Sequence, residues 1–163
     1  MLLGLVADLH GRFDPLLPKV LAGVDRILVA GDIGTDAMRG QLGALAKVEA
    51  VRGNVDKAPG LLDLPEFRFV AAHDRRILVA HNLHDRRLPA LLAQEKPDIL
   101  IFGHSHRPLV THRGDLLLVN PGSAGPKRFS LPRTAGVLRV EPGRPPMVAL
   151  WDLERDAPFL LDR

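Results

Sequence analysis

The sequence predicts an α/β protein in which two sheets pack face to face with helices on their outer faces. Three observations predict it. The first fifty residues read strand, helix, strand, helix, strand, the signature of a parallel sheet with right-handed crossovers. The second half is almost all short strands joined by tight turns. Finally, so many strands cannot all fit one parallel sheet.

Residues 2 to 7, LLGLVA, are an apolar run suited to a strand covered on both faces. A helix is expected around Asp14 to Leu21, opened by Asp14 as N-cap with Pro15 at the first helical position. RILVA at 26 to 30 repeats the strand pattern. A helix over 36 to 46 follows, with Asp36 as its cap, and KVEAVR at 47 to 52 is the third strand. EFRFVAA and RRILVAH are separated only by His73-Asp74 and read as an antiparallel hairpin. A helix near 87 to 95 leads to DILIF, then PLVTH and LLLVN are joined across Arg113-Gly114-Asp115. TAGVLRVE and MVALWDLE close the chain through a Pro/Gly-rich connection.

The 163 residues show no repeat, low-complexity tract or linker, so one domain spanning 1–163 is expected. Cysteine is absent, which removes disulfides and thiolate metal sites; any metal must be held by nitrogen and oxygen. The 22 Lys and Arg against 19 Asp and Glu leave a scattered +3, not a basic block, so polyanion binding is not expected. MLLGLVADLH lacks a basic n-region and reaches Asp8 too soon for a signal peptide or membrane span; a soluble, cytoplasmic protein is expected.

Chemistry-bearing residues recur where strands end. The first strand runs into Asp8-Leu9-His10, the second into Gly31-Asp32, the third into Gly53-Asn54, a later one into His81, and DILIF into Gly103-His104-Ser105-His106. Taken singly, Asp8 and Asp32 read as caps or turn residues, Asn54 as a turn former, and the histidines as hydrogen-bonded rings. Together they occupy the carboxyl edge of an α/β sheet, where ligands bind, and the seven are expected to converge. His104 and His106 would face one site if the chain stays extended through Ser105, with Gly103 providing the bend.

The ordered series DLH, GDI, RGNVD, AHN, GHSH and NPGS (Asn120 to Ser123) resembles the calcineurin-like metallophosphoesterases, in particular their small single-domain phosphodiesterase branch. That resemblance runs from Met1 to about Trp151. It implies a two-sheet β-sandwich flanked by helices. It also implies a dinuclear site in which Asp8, His10, Asp32 and His106 hold one metal, and Asp32, Asn54, His81 and His104 the other, with Asp32 bridging. Asn120 to Ser123 would be a structural turn beside it. The implied activity is hydrolysis of a P–O ester by in-line attack of a metal-bridging hydroxide, with Asp32 and Asn54 catalytic and Asn54 also orienting the substrate.

The donor set fits that chemistry. Two divalent cations roughly 3.5–4 Å apart acidify a shared water and neutralise phosphoryl oxygens, and a bridging carboxylate permits their closeness. Four imidazoles with two carboxylates and an amide suit Mn, Fe, Zn, Ni or Co better than Mg or Ca without choosing among them, and Mn is the first expectation. Related phosphatases carry a histidine after the Asn; here it is Val55, then Asp56, for which a hydrogen-bonding role is expected. Asn82 stands where the family usually has Gly, and His84 nearby is weighed as a substitute for a further family histidine. Arg12 and Arg128 read first as solvated arginines, although either guanidinium fork suits a phosphate. His73 and His112 read as surface residues, and Trp151 and the phenylalanines as core or interface. The expected partner is a small phosphodiester, without a nucleic-acid module or membrane, and with a homo-oligomer left open. The alternative is a non-catalytic protein-binding scaffold of the same fold, as in the related retromer subunit, which has lost ligand histidines that this chain keeps.

Overall fold

Consecutive rather than alternating apolar residues mark strands covered on both faces, and the computed structural model, which describes residues 1–128 and 130–161, uses them so. In the first half, β1 (Leu2–Val6), α1 (Leu17–Val20), β2 (Arg26–Val29), α2 (Asp36–Gly43) and β3 (Lys47–Ala50) alternate, followed by α3 (Pro59–Leu62). In the second half come β4 (Phe67–Ala72), β5 (Arg75–Ala80), α4 (Leu88–Glu95), β6 (Ile99–Ile101), β7 (Leu109–Arg113) and β8 (Leu116–Asn120). They are followed by β9 (Thr134–Arg139), β10 (Met147–Asp152) and β11 (Ala157–Phe159).

One sheet has the order β11-β10-β9-β1-β2-β3 and the other β4-β5-β6-β8-β7. β1, β2 and β3 are parallel, with Leu5 opposite Leu28 and Val29 opposite Ala50. β5, β6 and β8 are also parallel, while β4, β7 and β9 join antiparallel to their neighbours. Between the sheets lie Leu3, Leu5, Leu28, Ile77, Val79, Ile99, Ile101 and Val119. The residues between them in sequence point outward: Val6, Ile27 and Val29 pack under Leu17, Met38, Leu42 and Leu61 of the helices. On the other side Leu78, Leu100 and Leu118 pack under Leu88 of α4. The result is helix, sheet, sheet, helix, the predicted fold. No described helix is long and apolar enough to cross a membrane.

Local differences have local causes. The first helix starts at Leu17 with Leu16 as N-cap, two residues beyond Asp14. Its Oδ1 accepts from the Leu16 amide, and its Oδ2 forms a buried ion pair with Arg133. The second helix is capped by Thr35, whose hydroxyl accepts from the Met38 amide, rather than by Asp36, and it ends at Gly43. The short α3 and β11 carry too little periodicity to be foreseen, with four and three residues respectively.

Arg133 also donates to the carbonyls of Ala124 and Gly125, pinning the loop that leads into β9. Removing one partner of a buried pair leaves the other charge without compensation. Arg133→Leu should therefore lower stability by about 3–5 kcal/mol in urea unfolding; a loss within experimental error would show that the pair does not hold the loop.

Candidate metal centre

Parallel strands deliver their carboxyl ends to one edge, and the two sheets meet there. The Asp8 amide donates to the Gly31 carbonyl, the His10 amide to Asp32, and the Gly103 amide to His81. Turning the side chains inward over so short a distance requires unusual backbone. Among the described residues eight non-glycine positions have positive φ, and five of them are Asp8 (54°), His10 (48°), Asp32 (54°), His104 (68°) and His106 (57°). Such conformations are costly for residues with a Cβ and concentrate at functional sites.

All seven expected residues come together. Asp32 Oδ2 lies 3.7 Å from His10 Nε2 and 3.5 Å from His81 Nε2. On one side of it, His10 and His106 stack with their Nε2 atoms 3.2 Å apart, and His106 Nε2 lies 3.6 Å from Asp8 Oδ1. On the other side, Asn54 Oδ1 is 2.9 Å from His81 Nε2 and 3.1 Å from His104 Nδ1. Asp8, His10 and His106 form one potential ligand group, and Asp8, Asp32 and His81 another.

The histidine pair reaches the site by a route other than the expected one. The segment is not extended: both histidines are left-handed, and the Ser105 amide turns back to the Gly103 carbonyl at 2.8 Å. The rings therefore part, His106 joining His10 and His104 joining His81 and Asn54. Gly103 is needed for close approach instead of bending, since a Cβ there would meet the Ala30 carbonyl oxygen at 2.8 Å. Gly53 is more constrained still, because its Cβ would fall 2.1 Å from Asp32 Oδ1.

Burial sets the electrostatics. It pushes the Asp8 carboxyl up to about 7, although His81 and the His104 amide pull the other way. It also lowers His10 and His104, and takes His106 down to about 4 with help from Arg128 and His10. Burial opposes charge on His81 and Asp32 as well, but their mutual contact overrides it, so His81 shifts up and Asp32 down.

The residues fit a cation. Asp8 Oδ2 is buried without a hydrogen-bond partner among the described residues. His81 Nδ1 lies 2.8 Å from the Ala30 carbonyl oxygen, which can only accept, so Nδ1 carries a proton, and a neutral ring would leave an Nε2 lone pair facing oxygens of Asp32 and Asn54. Facing lone pairs of this kind call for a proton or a metal ion between them.

The neighbouring residues sort as follows. Asp56 is buried and accepts from the Gly34 and Gly53 amides, both at 2.8 Å, tying two site loops together. Asn120 donates to the Gly103 carbonyl and Ser105 Oγ, and Ser123 donates to the Asp8 carbonyl, so NPGS braces the ligand turns. His84, exposed, donates its amide to Asn82 Oδ1 and does not join the cluster. His73 sits in the β4–β5 turn against the N-terminal amine, and His112 is exposed. Arg12 is exposed, but Arg128, read from sequence as solvated, brings a guanidinium nitrogen to 3.5 Å from His10 Nε2. The sequence offers Arg128 as one of two guanidinium forks suited to a phosphate, but its approach to His10 is unforeseen. Equally unforeseen is a cleft of about 420 Å³ beside Asn54, His81 and His104, walled by Arg52, Phe67 and Arg87 among others.

Two sheets between helices, with histidines and carboxylates gathered at one edge, define a class of metal-dependent phosphoesterases. The chain belongs to the calcineurin-like phosphoesterase superfamily, whose sequence model matches residues 1–143. It is 37% identical over 135 residues to a probable metallophosphoesterase of Methanocaldococcus jannaschii, covering 76% of this chain and 68% of that protein. It is 29% identical over 164 residues to the phosphodiesterase YfcE of Escherichia coli, covering 85% and 87%. Its fold matches vacuolar protein sorting 29 of Cryptosporidium parvum with a TM-score of 0.83 at 21% identity, over 97% of this chain and 94% of that one.

Two outcomes are expected. The native state holds the Asp8 proton up to about pH 7, whereas the unfolded chain releases it near 3.8, so in metal-free protein this group loses stability as pH rises between those values. Asp8→Asn removes that loss: without metal, its melting temperature relative to wild type should climb from pH 4 to 7 and exceed it at pH 8. A flat difference would contradict the burial account. Gly53→Ala should displace Asp32 and lower metal affinity by at least about tenfold, as read by calorimetry with manganese; unchanged affinity would show that the site tolerates the intrusion.

Proposed function

We propose that the chain is a phosphodiesterase whose seven clustered residues hold two divalent cations, with Asp32 between them. The observation that carries this is the position of Asp32 Oδ2, within 3.7 Å of an imidazole nitrogen from each cluster. Asp8, His10 and His106 complete one binding position, and Asn54, His81 and His104 the other. Manganese is the first candidate, with Fe, Zn, Ni and Co as alternatives. Bound there, a pair of divalent cations supplies a nucleophile from water at neutral pH and neutralises phosphoryl oxygens.

The protein's own groups orient the substrate. Asn54 directs Oδ1 inward, which leaves its amide NH2 to donate to a phosphoryl oxygen. The 420 Å³ cleft on that side suits one ester arm. Its walls are neutralised internally, since Arg87 is tied to Asp85 and Glu66 at 2.7 Å each, and this favours a neutral polar arm over one with additional phosphates. Neither residue after Asn54 is suited to protonate the departing oxygen: Val55 is 40% exposed and apolar, and Asp56 is occupied by two amides. Esters whose leaving group departs without a proton are therefore favoured.

The alternative, a protein-binding scaffold, accounts for neither the left-handed backbone at five site residues nor the buried unpaired Asp8 oxygen. The test is hydrolysis of bis(p-nitrophenyl) phosphate with added manganese. Turnover is expected, falling steeply as the leaving-group pKa rises, and Asn54→Ala should lower kcat/KM about a hundredfold. Absence of turnover with Mn, Fe, Zn, Co and Ni would refute the reading.

A further inference from the structure

Arg128 is an exposed arginine with an unusual neighbour. Its guanidinium NH2 lies 3.5 Å from His10 Nε2, and among the described residues no carboxylate pairs with it. The adjacent Lys127 is tied to Glu154 at 3.0 Å. The loop bearing both is fixed on each side. Upstream, the Ala124 amide donates to the Ala7 carbonyl and Ser123 Oγ to the Asp8 carbonyl. Downstream, buried Arg133 clamps Asp14 and the carbonyls of Ala124 and Gly125. The anchored chain therefore holds Arg128 beside the ligand cluster.

Electrostatically this is a poor place for an arginine unless an anion joins it. His10 Nε2 has one lone pair, which cannot both accept from Arg128 and hold a cation. With a cation on His10, the guanidinium would lose this acceptor and face like charge. A phosphoryl oxygen between them satisfies both, and the planar fork suits it.

On the two-cation reading proposed above, we infer that Arg128 is a substrate-binding residue that grips a phosphoryl oxygen on the His10–His106 side. The phosphoryl group then lies between Arg128 and Asn54, and the ester arm runs into the cleft on the opposite side.

Calorimetry of inorganic phosphate binding to the manganese-loaded protein, together with manganese binding without phosphate, tests this. Arg128→Ala should weaken phosphate binding about tenfold or more, while manganese binding stays the same or tightens because a positive charge has been removed. Arg128→Lys should recover part of the phosphate affinity, and Lys127→Ala should change neither. Equal phosphate affinity in wild type and Arg128→Ala would overturn the inference and leave the metal centre standing. Parallel weakening of manganese and phosphate would also overturn it, because that is the mark of a loop-positioning role. A loaded wild type that binds no phosphate would overturn the inference alone, whereas a wild type that binds no manganese would overturn it together with the two-cation reading.

Discussion

The carboxyl edge is organised around a single oxygen atom. Asp32 Oδ2 stands between His10 and His81, and every other candidate ligand is arranged about those two rings. The other oxygen of Asp32 accepts from the Val55 amide at 3.1 Å, which fixes the carboxylate and directs Oδ2 into the site. Gly53 leaves the room that this placement requires. A carboxylate so held is well suited to lie between two cations, because it supplies negative charge where their repulsion is greatest.

The scaffold accepts unfavourable terms to reach this arrangement. Among the described residues, Asp8 is buried with one oxygen unpartnered, two imidazoles press their Nε2 atoms together, and five candidate ligand residues adopt left-handed backbone. Each would be selected against in a purely structural protein. Layers of apolar residues on both faces of both sheets offset them, and hydrogen bonds accepted by Asp56 and donated by Asn120 and Ser123 lock the loops. Bound divalent charge would reverse the main electrostatic penalties, since a cation favours the ionised Asp8 carboxylate and the neutral histidines that burial already prefers.

Much of this was legible in the sequence because strand ends are marked by abrupt changes of composition. Apolar runs such as RILVA and DILIF gave the sheets, and the polar residues after them gave the seven site positions. Less legible were features set by tertiary contact. Asp14 reads as a helix cap until its buried partner Arg133 is known, and Thr35 takes the cap expected of Asp36. The alternation of His104 and His106 suggested an extended segment, whereas the left-handed turns that divide the two rings between clusters leave no mark in residue type. The approach of Arg128 to His10 and the ion-paired cleft wall are assembled from distant loops, so no local pattern announces either contact.

The central claim is that one carboxylate joins two cations. Its most direct test is the metal content of purified protein reconstituted with manganese, compared with that of Asp32→Ala prepared identically. The account predicts two ions per wild-type chain and loss of both together in the folded variant. One ion per wild-type chain, or a variant that retains a full pair, would contradict it.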